Sequence, residues 1–218
     1  KKTSLKDKIC FYHYSLLYNP FFIKKQKSYI FFSNSNHNVF MNHSFYNRTI
    51  DDFSNILKNS IVIESSYNKK FKLPRKMHNF YTNDLINIYI RLKLKLFKKK
   101  SVIDERKIYE FKEYLIKKCH SIPDSYKIIH NEITTLEKKL PYYEELYNFY
   151  KKYLKRLNPK LVFIVAGHYG DEFSILNKVL FDLKIPSVEP QHGIITKNHL
   201  AYNYGEIKNL SDFNQYFP

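Results

Sequence analysis

The chain has 218 residues, an apolar fraction of 44% and a formal net charge of +17. Its length allows one large domain or two small ones, and this apolar fraction is sufficient for a hydrophobic core. The only two cysteines, Cys10 and Cys119, are far apart, which indicates neither a disulfide framework nor a zinc site. A reducing, cytoplasmic setting is therefore expected. No apolar run approaches the roughly 20 residues that span a bilayer, and no signal peptide is predicted.

The positive charge favours partners that carry phosphates, namely nucleic acid, anionic lipid or a phosphorylated substrate. A composition bias would give the same charge, because the chain is rich in Lys, Asn, Ile and Tyr together. The run Lys98–Lys100 and the loop around Arg75 are expected to be solvated surface, with contact to a membrane as the functional alternative.

The first part of the chain predicts two strands and one helix. Residues 9–18 are rich in aromatic residues and could form a helix or an ordered tail. Residues 28–32 predict a strand, residues 50–58 a helix capped by Thr49, and residues 61–64 a second strand. The first strand is followed by a polar loop without a glycine fingerprint, so no dinucleotide site is predicted there.

The middle of the chain predicts helices. Apolar residues recur at helical spacing over residues 82–100, 102–118, 123–140 and 142–157, although residues 91–96 alternate and could form a strand. Pro141 is expected to end or kink its helix. We therefore predict a helical insertion of about residues 82–157 within a single domain that covers residues 1–218.

The last part of the chain predicts a β-α-β unit. Residues 161–165 form an apolar, β-rich run, Asp171 is a candidate N-cap, and a helix is expected to residue 183, before a strand over residues 187–189. Such a unit favours a right-handed crossover between parallel strands. The predicted fold is α/β, with a Rossmann-like, mostly parallel sheet. Ligands of such sheets bind at the carboxyl ends of the strands, where His168 and the loop from Glu189 are expected.

All four glycines of the chain fall in its last quarter, at positions 167, 170, 193 and 205. Glycine permits positive φ and a close approach of the backbone to a ligand, so the special backbone of the chain is expected there. His192 could act as a general base on a hydroxyl, donate a hydrogen bond to a phosphate, or only hold its loop. Glu189 could orient His192, act as the base itself, or cap backbone N–H groups.

The other candidate residues have binding or structural interpretations. Gln191 is expected to order the loop, and Gly193 to provide backbone geometry. His168 precedes a helix, where free N–H groups suit an anion, although a polar turn without a ligand also explains it. His199 and Tyr202 could line a sugar-binding groove or simply pack. No metal-ligand spacing, P-loop or serine nucleophile motif is present.

The segment from Glu189 to Tyr204 resembles bacterial surface-polysaccharide glycosyltransferases of the two-domain GT-B type. The residues that carry the resemblance are Glu189, Gln191, His192, Gly193, Ile195, His199, Tyr202 and Tyr204. Weaker support comes from residues 158–160 and 61–64. The resemblance implies that the chain is the N-terminal, acceptor-side half of such an enzyme, and that a second Rossmann-like domain holds the nucleotide-sugar.

The resemblance also implies a chemistry. His192 and Glu189 would be the acid/base pair, and His168 would contact an anion or hydroxyl. A sugar would pass from a nucleotide-sugar co-substrate to a glycan or lipid-linked acceptor, without a metal or other cofactor. The protein would be cytoplasmic, with peripheral contact to an anionic membrane. Two alternatives stay open: a basic nucleic-acid-binding module, in which aromatic residues stack on bases, and a non-catalytic scaffold of the same fold.

Overall fold

The computed structural model describes residues 4–23, 25–75, 79–97, 104–167 and 171–190. The strands are β1 Tyr29–Asn34, β2 Asn38–Met41, β3 Ser44–Asn47, β4 Ser60–Ser65, β5 Phe80–Thr82, β6 Leu161–Ile164 and β7 Ser187–Val188. The α-helices are α1 Leu5–Leu17, α2 Asp51–Ile56, α3 Asp84–Phe97, α4 Glu105–Lys118, α5 Ser125–Leu157 and α6 Glu172–Asp182. Two short 3₁₀ turns cover Pro20–Phe22 and Ser35–His37.

Five strands form one parallel sheet in the order β5-β4-β1-β6-β7. The first strand is central, the next two large-sheet strands in sequence lie on one side of it, and the last two lie on the other side. The direction of winding therefore reverses between β1 and β6, as it does in doubly wound folds. The predicted α/β class with a mostly parallel sheet is confirmed.

Both faces of the sheet are covered. On one face, the ring of Phe31 stacks on that of Phe163 with centroids 4.4 Å apart, and the buried Ile50 beside α2 joins the same cluster. On the other face, Phe32 meets the edge of Tyr150, which lies in the second half of α5. Burial on two sides explains why these strands read as continuous apolar runs rather than as alternating ones.

The sequence did not reveal the antiparallel hairpin β2–β3 or the short strand β5. The two turn residues of the hairpin, Asn42 and His43, have φ of 50° and 60°, the left-handed conformation that a tight two-residue hairpin turn requires. A glycine usually stands in such a turn, and its absence removed the signal. Strand β5 has three residues, too few for a period to be recognised.

The structure bears on four points about the helices: two predictions were wrong, one helical prediction is confirmed, and one region that was left open is now assigned. Residues 125–157 form one helix, and Pro141 lies inside it instead of ending it. Residues 91–96 belong to α3 and form no strand. Thr49 is not the cap of α2, because Ile50 holds that position without a side-chain hydrogen bond. The N-terminal region, for which the sequence allowed either a helix or an ordered tail, forms helix α1. Its start is fixed by reciprocal hydrogen bonds between Ser4 and Asp7.

The chain divides into two compact units, one of Lys1–Ile88 with Tyr147–Pro218 and the other of Tyr89–Leu146. The first unit contains the parallel sheet. The second is helical in its described residues and is stabilised by polar contacts: the Lys93 ammonium lies 2.6 Å from the Glu145 carboxylate. The Arg91 guanidinium lies over the ring of Tyr142, 5.2 Å from its centroid. Residues 89–146 fall inside the helical segment that the sequence predicts.

Several turns place residues other than glycine at positive φ. Helix α6 ends in a Schellman motif, in which the N–H of Ile185 donates to Leu180 and the N–H of Lys184 donates to Phe181. Lys184 occupies the left-handed position of this motif with φ of 55°. Glycine is the residue most often found at that position, because it has no Cβ.

Candidate functional site

The carboxyl edge of the sheet is the region where ligands of this fold class bind. Strands β6 and β7 pair in parallel through Val162 with Ser187 and Phe163 with Val188. The chain leaves β7 directly into Glu189, which lies half-buried at that edge. The predicted loop therefore begins at the carboxyl ends of the strands, as the sequence indicates.

The remaining predicted site residues lie outside the described part of the chain. They are His168, Gln191, His192, Gly193, His199 and Tyr202. The pairing of His192 with Glu189 and the anion site at His168 stay predictions.

The start of helix α6 differs from the expectation. Asp171 holds the N-cap position with φ of 53°, but its side chain makes no capping hydrogen bond. Glu172, the next residue, is half-buried, and its carboxylate accepts a hydrogen bond of 3.1 Å from the side-chain amide of Asn87. Asn87 lies on α3, the helix that follows β5. A polar contact thus joins the helices that follow β5 and β6.

A buried charged cluster lies at the carboxyl end of β4. The Arg75 guanidinium is 2.9 Å from the Asp51 carboxylate and 3.6 Å from the Glu64 carboxylate. All three side chains are at most 3% exposed. The loop around Arg75 was expected to be solvated surface, and that interpretation is wrong. Two carboxylates draw the guanidinium inward, and it also lies over the ring of Phe80.

Neighbouring polar groups extend this cluster to the hairpin β2–β3. The side-chain amide of Asn38 donates to the Glu64 carboxylate at 2.8 Å. The Asn38 carbonyl in turn accepts a 2.8 Å hydrogen bond from the Lys72 ammonium. The backbone N–H of Asn47 donates to Asp51 at 2.7 Å. The cluster therefore connects the hairpin β2–β3, helix α2 and the loop after β4.

The charges of the cluster do not balance, because two carboxylates share one buried guanidinium. Burial raises the pKa of Glu64 to about 7, although Arg75 and the Asn38 amide act in the opposite direction. Burial also raises the pKa of Asp51, against the effect of Arg75. Glu64 is therefore expected to exchange a proton near neutral pH, which would remove the excess negative charge.

Solvent does not reach these three charged side chains, so the cluster is not arranged to contact a substrate. Its geometry instead fixes three segments at the carboxyl edge. The sequence held one signal, since Glu64 ends an otherwise apolar strand and a carboxylate there requires a partner. Nothing in the sequence identified Arg75, 11 positions further on, as that partner.

Two further findings concern metals and membranes. Among the described residues, no group of three or more His, Cys, Asp or Glu side chains could hold a metal ion. No helix in that part of the chain is long and apolar enough to cross a membrane.

Comparisons of the chain with protein-family models, with curated proteins and with solved structures give no match. The functional argument therefore rests on the residues and on their positions in the fold.

Proposed function

We propose that this chain is the acceptor-binding half of a glycosyltransferase that transfers a sugar from a nucleotide-sugar to a surface polysaccharide or lipid-linked glycan. The single observation that carries the proposal is the position of the motif's first residue. Glu189 follows β7 directly and lies at the carboxyl edge, beside the end of β6. The segment that resembles the GT-B enzymes thus starts where doubly wound folds bind their ligands.

The strand order gives a second line of support. The winding reverses between β1 and β6, and the loops that follow these two strands flank the crevice in which such folds bind ligands. His168 follows the end of β6 by four positions in the sequence. A half-buried carboxylate at Glu189 is suited to orient an imidazole or to accept a proton from a hydroxyl.

In this proposal His192 removes the proton from the acceptor hydroxyl while the oxygen attacks the anomeric carbon of the donor sugar. The bond between that carbon and the nucleotide phosphate breaks, and the phosphate leaves with the electron pair. Glu189 stabilises the imidazolium that forms. His168, Gln191, His199 and Tyr202 contact the substrates, and Gly193 allows the backbone to approach them. The second domain of the enzyme holds the nucleotide.

The test is a transfer assay on the full-length protein that contains this sequence. A panel of UDP-, GDP- and CMP-sugars is the donor set, polyprenyl-diphosphate-linked disaccharides are the acceptors, and release of the nucleotide is measured. We expect one donor to be consumed, and His192→Ala and Glu189→Gln each to lower kcat/KM about 100-fold or more.

Two matched variants control for the loss of any imidazole or carboxylate. His120 and Glu110 are exposed on or beside helix α4, and His120→Ala and Glu110→Gln should leave transfer unchanged. Equal activity of His192→Ala and the wild type would contradict the catalytic assignment. Failure to consume any donor, together with salt-sensitive binding of oligonucleotides, would favour the nucleic-acid alternative.

A further inference from the structure

Helix α1 carries apolar side chains on two opposite sides. On its inner side, Phe11 is buried and stacks on Phe71 with ring centroids 5.8 Å apart. Its outer side carries four large residues at positions i, i+4, i+7 and i+11, which a helix places in one narrow row. We call this row the outer stripe; it consists of Leu5, Ile9, Tyr12 and Leu16.

Each residue of the outer stripe is more than half exposed, from 54% for Tyr12 to 74% for Leu5. When a helix is apolar on only one side, packing against the rest of its own domain is enough to bury that side. Helix α1 uses its inner side in this way and leaves a second apolar row uncovered. Such a contiguous exposed row is typical of an interaction surface.

The charged residues that flank the outer stripe are lysines. Residues 1–27 contain seven lysines and a single acidic residue, Asp7. Asp7 caps the start of the helix and forms an ion pair of 3.2 Å with Lys70. Lys6 and Lys8 are exposed and, at 100° per residue, fall on the two flanks of the stripe.

This pattern selects among partners. A second copy of the chain would bring the same lysines to the contact, and α1 offers no acidic residue on its outer side to meet them. An anionic bilayer surface satisfies both parts of the pattern. Aliphatic side chains enter the boundary between headgroups and acyl chains, lysines extend to the phosphates, and a tyrosine suits the interface between them.

We propose that α1 docks on an anionic lipid bilayer, with the outer stripe inserted at the headgroup boundary and with Lys6 and Lys8 on the lipid phosphates. This attachment lies parallel to the membrane plane and does not span it. It is independent of the transfer reaction, so it stands or fails by itself whatever the outcome of the transfer assay.

The first experiment is flotation of the 218-residue chain with vesicles. Vesicles of mixed phosphatidylglycerol and phosphatidylcholine should carry the protein, and vesicles of phosphatidylcholine alone should carry far less. The double variant Ile9→Ser/Leu16→Ser should lower the partition coefficient about 100-fold, or about tenfold for each buried aliphatic side chain. The matched control is Ile56→Ser/Ile128→Ser, since both isoleucines are exposed on other helices, and it should bind like the wild type.

A second pair of variants tests the charge. Lys6→Gln/Lys8→Gln should lower binding about tenfold or more and reduce its dependence on salt. Lys117→Gln/Lys118→Gln removes the same charge from exposed positions near the end of α4 and should have little effect. Equal effects of the two pairs would mean that net charge alone drives binding, and that would overturn the proposed surface.

A third measurement locates the contact. The chain has no tryptophan, so Tyr12→Trp introduces a single tryptophan, which can be excited selectively, into the stripe. Its emission should shift to shorter wavelength with anionic vesicles, whereas that of Tyr109→Trp, which is exposed on α4, should not. The proposal is overturned if the wild type stays in solution, if Ile9→Ser/Leu16→Ser floats equally well, or if the emission of Tyr12→Trp does not change. Dimerisation through the stripe without vesicle binding would identify a second copy as the partner instead.

Discussion

Arg75 and Asp51 form an ion pair of 2.9 Å in which both side chains are almost completely removed from solvent. They are 24 residues apart in the sequence. Taking a guanidinium out of water is unfavourable, and it persists in a core only when carboxylates and other acceptors replace its hydration. Here the Phe45 carbonyl accepts a further hydrogen bond of 3.3 Å from Arg75. The loop after β4 is thereby held against α2 and β3.

Removal of the guanidinium should destabilise the protein strongly. In Arg75→Met two carboxylates stay in the core without their cation, and we expect the free energy of unfolding to fall by about 3–5 kcal/mol. Urea denaturation followed by circular dichroism measures this change. Arg106 is exposed on α4, and Arg106→Met should change stability by no more than about 0.5 kcal/mol. A loss below about 1 kcal/mol for Arg75→Met would show that the pair contributes little.

Glu64 should make stability depend on pH. Its pKa is raised by burial from 4.5 to about 7, so the folded protein binds this proton more tightly than the unfolded chain does. The contribution is complete below about pH 4.5 and is lost as the pH rises through about 7, and it amounts to about 3 kcal/mol. Asp51 acts with the same sign, because burial raises its pKa as well.

Urea denaturation over a series of pH values tests this slope. Glu64→Gln keeps the shape of the protonated side chain and cannot ionise, so it should flatten the fall in stability between about pH 4.5 and about 7. Glu110→Gln, on the exposed side of α4, should leave the slope unchanged. A wild-type protein whose stability rises through this window would mean that Glu64 is ionised and well paired.

Tyr150 should be sensitive to the loss of one oxygen atom. Its hydroxyl accepts a hydrogen bond of 2.9 Å from the Asn83 amide and returns one of 3.2 Å to the same side chain, in the core. Burial raises the pKa of this phenol, so it stays protonated and able to donate. Tyr150→Phe leaves a buried amide without its partner, and we expect a loss of about 1–3 kcal/mol in urea denaturation. Tyr126→Phe, at an exposed phenol, provides the comparison and should be near neutral.

Pro141 should limit the stability of the helical unit. It lies inside α5, where it removes one helical hydrogen bond and crowds the preceding turn. Pro141→Ala should raise the stability of that unit by about 1–3 kcal/mol, measured as hydrogen-exchange protection of amides in residues 134–146. Unchanged or lower protection in the variant would mean that the proline fits its surroundings without cost.

The sequence predicted four of the five described strands of the large sheet and missed the separate hairpin β2–β3. Strand β4 was found because Ile61, Val62 and Ile63 are buried on both faces and leave no polar position in the pattern. The hairpin β2–β3 was missed because Asn42 and His43 form its turn. Both have a left-handed backbone, and neither is the glycine by which such a turn is usually recognised in a sequence. A polar loop and a short hairpin have similar compositions, so local sequence could not separate them.

The predictions for Pro141 and for Arg75 were wrong for a different reason. Pro141 is a helix breaker by local rules, but the 33-residue helix α5 continues through it. Arg75 stands in a basic, polar stretch that indicates solvent exposure. Its burial depends on Asp51 and Glu64, and their convergence follows from the folding of the chain and not from any local pattern.

Lys184 shows how a scarcity of glycine affects this protein. This residue occupies the left-handed backbone position that ends α6, where its Cβ strains the backbone by roughly 1 kcal/mol. The motif forms nevertheless, so its two hydrogen bonds and the burial of Leu180 outweigh the strain. A single codon change at this position, Lys184→Gly, would release that strain without disturbing the core. A stabilising substitution is therefore accessible at this position. The stability that it adds would offset a destabilising change at the carboxyl edge.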